Sequence, residues 1–72
     1  MSDFGTVVLF VNQGRSEFAY RVLRCDEDFF PEAQKKVLET VASHFTTFRV
    51  EWWPDGERDA ELARMPRYPY EI

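Results

Sequence analysis

Seventy-two residues with a net charge of −4 and a load of seven Phe, three Tyr and two Trp describe one small domain with limited room for a core. A chain this short buries only about 60% of the surface its unfolded form exposes, so such domains commonly lean on disulfides, metals or partners. Cys25 is the only cysteine and His44 the only histidine, which excludes an internal disulfide and a single-chain tetrahedral zinc site, while the acidic balance disfavours general binding to phosphate backbones.

Residues 1–5 are expected to form a flexible leader. Thr6–Val11, rich in β-branched and aromatic residues, reads as a strand. Asn12–Ser16 has the polar, Gly-containing composition of a hairpin loop, and Glu17–Cys25 reads as the returning strand. Strict alternation along that strand puts Phe18, Tyr20 and Val22 on one face and Ala19, Arg21 and Leu23 on the other. Asp26-Glu27-Asp28 ends it and leads into a helix over Pro31–His44. There Pro31 suits an early helical position, and the acids with Glu32 suit the positive end of the dipole. Phe30, Ala33, Val37, Leu38, Val41 and Phe45 form its apolar stripe.

Thr46–Trp53 reads as the third strand, and Pro54-Asp55-Gly56 as a turn. Glu57–Met65 favours a short helix stopped by Pro66; a β-hairpin across Asp55-Gly56 competes but lacks β-branched residues. The tail, 66–72, is expected to be extended because its prolines forbid regular structure. The order β-β-α-β-α predicts a single α+β domain: a three-stranded sheet ordered 2-1-3 with one long helix packed on one face.

One feature conflicts with a sheet that has a wet side. Residues Val7–Val11 are apolar at every position, and the adjacent Trp52 and Trp53 must point to opposite faces. The long helix covers one face only. The other therefore needs a cover, supplied by the C-terminal segment with Leu62, Met65, Tyr68 and Tyr70, by a second copy, or by a partner.

Chemistry-bearing constellations are sparse. Cys25 at a strand end and His44 near a helix end have no spacing that joins them as nucleophile and base. Asp26, Asp28 and Glu32 lack the twelve-residue calcium-loop pattern. The glycines Gly5, Gly14 and Gly56 are isolated, so no phosphate cradle exists. Stacking of single-stranded bases on Tyr20 or Phe10 beside Arg21, Arg49 and Trp53 lacks an RNP-type motif and runs against the net charge. No cofactor, no metal and no enzymatic activity are expected.

Trp53, Tyr68 and Tyr70 with Arg64 and Arg67 have the composition of interface hot spots. The sequence thus points to a small acidic protein-interaction module, an inhibitor, adaptor or assembly subunit. It would bind a protein partner, or its own copy as a homodimer, through an aromatic sheet face and the C-terminal segment. Asp55, Glu57, Asp59 and Glu61 would border that surface. One alternative makes the acids phosphate surrogates of a nucleic-acid mimic that blocks a DNA- or RNA-binding enzyme. Another is a small ligand-binding or enzymatic subunit whose site forms between protomers. The sequence opens with no basic n-region and apolar core of a secretory leader, and Val7–Val11 is too short to span a bilayer, so the expected location is cytoplasmic with no membrane association.

Overall fold

β1 (Phe4–Gln13) is the central strand, and its apolar run is explained by its place in the sheet. β2 (Ser16–Asp26) and β3 (Phe48–Pro54) pair with it on either side, both antiparallel, in the order β2-β1-β3. The computed structural model describes residues 3–44 and 47–70. With both neighbours present and both faces covered, Val7, Val8, Leu9 and Val11 are fully buried. The β-β-α-β-α order and the 2-1-3 sheet expected from the sequence are borne out.

The strands run further than composition suggested. Gln13 pairs with Ser16, so the hairpin loop is only Gly14-Arg15. Gly14 takes φ +65° while no non-glycine residue among those described is positive, the pattern of a II′ turn whose twist matches the flanking strands. At the other end Phe4 and Gly5 pair with Asp26 and Cys25, and the Glu27 N–H donates to the Asp3 carbonyl at 3.0 Å. The expected leader is therefore part of the sheet from Phe4 onward; Met1 and Ser2 lie outside the described residues.

A β-bulge between Val7 and Val8 alters the alternation of β2. Val7 faces Leu23 but Val8 faces Arg21, leaving Val22 as the extra residue. Leu23 is thereby returned to the face of Tyr20 and Phe18, correcting its assignment opposite them. Both Val22 and Leu23 pack against the core of that face.

α1 (Phe30–Val41) lies across this first face with Ala33, Val37 and Val41 buried against Val7, Leu9, Val11 and Cys25. Ahead of it, the Asp26 carboxylate accepts from the Phe29 N–H at 2.7 Å, so one acid of the cluster organises the helix entry. The helix ends at Val41, three residues short of the expected His44. The His44 N–H turns back to the Val41 carbonyl at 2.9 Å, a tightened i→i−3 turn. Phe45 of the expected stripe and Thr46 of the expected strand lie outside the described residues.

Trp52 spans the first face at one end. Its Nε1–H donates to the Cys25 carbonyl on β2 at 3.2 Å, two strands away. The ring crosses β1 over Gly5, where an added Cβ would come within 2.5 Å of Trp52 Cε2 and of the Trp53 carbonyl oxygen. Gly5 is thus required for close approach. Among the described residues no helix is long and apolar enough to cross a membrane.

Candidate functional site

The second face holds Thr6, Val8 and Phe10 from β1, Ala19 and Arg21 from β2, and Arg49, Glu51 and Trp53 from β3. Its cover is α2 (Asp59–Arg64), which forms where the short helix was expected and excludes the competing hairpin. Gly56, at φ +88°, makes the turn before it. Asp59 and Glu61 in its first turn and Arg64 in its last complement the dipole. Leu62 is buried on Val8 and Trp53, with Met65 at the border. Of the covers considered, the chain supplies its own.

Beyond Met65 the chain leaves this face around the β2 edge. The Arg21 N–H donates to the Pro66 carbonyl at 2.9 Å, and the Tyr68 N–H donates to the Arg21 carbonyl at 2.8 Å. Arg21 Nε adds a bond to the Met65 carbonyl at 3.0 Å. Arg67 becomes a one-residue parallel strand beside the bulge. A cleft beside it is lined by Thr6, Arg21, Val22, Leu23, Arg24 and Arg67.

This wrap carries Tyr68 and Tyr70 to the α1 side, away from Leu62 and Met65. Tyr68 packs edge-on against Tyr20 at 5.8 Å and against Tyr70 at 5.7 Å. Tyr70 stacks on His44 at 6.0 Å with only 16° between the planes. The Tyr68 hydroxyl is buried without a hydrogen-bond partner. Burial, with smaller contributions from Tyr70 and Tyr20, pushes its phenol pKa up. Tyr70 remains 65% exposed. Phe18, two residues from Tyr20 on the same strand face, is also exposed.

The nine residues singled out from the sequence fall into three places. Arg67, Tyr68 and Tyr70 lie together in the seam between the β2 edge and the end of α1. Asp55, Glu57, Asp59, Glu61 and Arg64 lie on the turn and on α2, all exposed. Trp53 is beneath them, 5% exposed, with Arg58 over its ring at 4.6 Å and its Nε1–H donating to Glu51 Oε1 at 3.1 Å. Its ring is engaged in packing α2 and is not presented to solvent.

The acids do not form an uninterrupted row. Asp55 is ion-paired with Arg24, and Asp59 Oδ1 accepts from the Gly56 N–H at 3.1 Å. Glu51, also on this face, has its carboxyl pKa lowered, first by the bond from Trp53 and then by Arg49 and Arg58, with partial burial opposing. The rings considered for base stacking are separated: Tyr20 is on the α1 face, whereas Phe10 lies under Arg49, 4.2 Å from its ring centroid.

Cys25 is buried at the strand ends where α1 begins, and desolvation with the nearby Asp26 charge raises its thiol pKa. His44 follows the opposite end of a twelve-residue helix, about 18 Å long. No cluster of three or more His, Cys, Asp or Glu suited to a metal ion occurs among the described residues.

His44 and Tyr20 join the seam without having been singled out as interface residues. The long sequence separation of His44 from Tyr70 hides their stacking, and only the aromatic excess hinted at it. Compared with protein-family models, curated proteins and solved structures, the chain matches none.

Proposed function

We propose that this chain is a protein-interaction module that docks a protein partner on the seam formed by Tyr70, His44 and Tyr68. The observation that supports this most is Tyr70: a large ring, 65% exposed, yet held in place by His44 on one side and Tyr68 on the other. An ordered, amphipathic ring offers contact area at small entropic cost, which is why Tyr dominates interface hot spots. Burying it in a partner's pocket would add the contacts that the domain itself does not supply. Arg67 at the β2 side of the seam offers a hydrogen-bonding rim, and the acidic α2 side favours a partner with basic surroundings.

The reading is tested by immobilising the wild-type chain and a Tyr70→Ala variant and comparing the proteins each retains from the source cell. A stoichiometric partner held by the wild type and lost from the variant supports the seam. A partner retained equally by both sinks it, and loss on reversing Glu57 and Glu61 instead would move the site to α2 and favour nucleic-acid mimicry.

A further inference from the structure

The two outer edges of the sheet differ in how their backbone groups are satisfied. On β2 the outward N–H and C=O of Arg21 are taken by the tail. On β3 the ladder to β1 identifies which groups face out. Asn12 N–H donates to the Thr47 carbonyl and Asp55 N–H to the Phe4 carbonyl, both at 3.0 Å, so odd-numbered β3 positions bond to β1. The amides and carbonyls of Phe48, Val50 and Trp52 therefore point away from the sheet. Among the described residues no hydrogen bond reaches them. Phe48, Val50 and Trp52 are only half-buried. Such an edge is a template for another strand.

We propose that β3 pairs antiparallel with β3 of a second copy about a twofold axis through Val50, joining two sheets into one of six strands. This goes beyond the seam and does not depend on it. In that register Phe48 faces the second copy's Trp52 and Val50 faces the second copy's Val50, so every outward group between Phe48 and Trp52 finds a partner. The result is about six inter-strand bonds, two per hydrogen-bonded pair. On the second face Arg49 falls opposite the second copy's Glu51, and Glu51 opposite its Arg49. The four form an alternating ring, built from a pair already 2.8 Å apart in each chain.

The charges also select this register against its neighbours. Shifting the axis to Arg49 or Glu51 sets Arg49 against Arg49 or Glu51 against Glu51, and like charges directly opposite are unfavourable. Shifting it to Trp52 opposes Val50 to Pro54, which has no N–H to donate.

Sedimentation equilibrium of the wild-type chain is expected to show a concentration-dependent dimer. Arg49→Glu and Glu51→Arg, each alone, place like charges opposite each other and are expected to weaken the dimer about tenfold or more. Mixing the two variants restores opposite charges across the axis in a heterodimer, although neither chain regains its internal Arg49–Glu51 pair. Circular dichroism verifies that both variants fold. Amide exchange of the wild type needs no variant: the amides of Phe48, Val50 and Trp52 should slow about tenfold or more between dilute and concentrated samples, while those of Arg49, Glu51 and Trp53 stay protected throughout. A monomer at all concentrations, a dimer without that protection, or a mixture no tighter than its components would overturn the proposal. Tyr70→Ala is expected to leave the dimer intact; loss of the dimer in that variant would place self-association at the seam instead.

Discussion

On the first face a twelve-residue helix lays Ala33, Val37 and Val41 over Val7, Leu9 and Val11, and large rings close the margins. On the second face a six-residue helix buries Leu62 alone against Val8 and Trp53, and arginines lie over the remaining rings. The first is a close-packed core, in which each removed methylene leaves a void. The second is a thin lid on a mixed polar and apolar surface, where cation–ring contacts and the Trp53–Glu51 bond supplement a little burial. The difference teaches that one face holds the fold while the other holds a short segment, and substitutions should separate the two.

The largest effect is expected at Leu9, fully buried at the centre of the first face. Leu9→Ala should cost about 3–4 kcal/mol in denaturant unfolding, a large share of the roughly 4–11 kcal/mol typical for a chain of this size. Loss of α1 and sheet structure together, in one transition, is the expected signature. Gly5→Ala tests the crossing of Trp52 over the central strand. With contacts at 2.5 Å to a ring and to a backbone carbonyl, about 2–3 kcal/mol should be lost, accompanied by a change in tryptophan emission.

Leu62→Ala should cost about 2 kcal/mol, less than Leu9→Ala because the thin lid can collapse or open locally. Amides of α2 should lose protection before those of β1, and equal loss in both would show that the faces unfold as one unit. Glu51 gives a smaller, pH-dependent effect. Its folded pKa is lowered, so its contribution is fully present above the ordinary glutamate value of about 4.3 and is lost as pH falls through the lower folded value. Because the side chain is 39% exposed, Glu51→Gln should remove less than about 1 kcal/mol near neutrality and flatten the acid limb of the stability profile.

The smallest effect concerns the seam. Tyr68→Phe removes a buried hydroxyl that has no partner, so stability should be unchanged or rise by up to about 1 kcal/mol. A clear loss would mean that the hydroxyl is bonded in solution.

Much of this fold was legible in the sequence because its signals are local. Apolar period along α1, β-branched runs, and the Pro-Asp-Gly turn each act within a few residues, and together they led to the right order of elements. The conflict between an all-apolar β1 and a single long helix also led to the right question about the second face. Local pattern along the chain by itself determined the α+β class and the need for a second cover, and the single cysteine determined the absence of an internal disulfide.

Only the tertiary structure decided which residues do what. The bulge at Val22 reverses the facing of Leu23, and such a one-residue slip leaves no mark on local propensity. Trp53, promising by type as an interface residue, is buried because α2 docks there; Tyr70 stays exposed because the tail leaves α2, crosses the β2 edge and meets His44. These outcomes depend on contacts between residues far apart in the chain, whose energies local patterns do not encode. Edge satisfaction is of the same kind: among the described residues the tail pairs with the outward backbone groups of Arg21 on β2 and with none on β3, and no local pattern fixes where it runs.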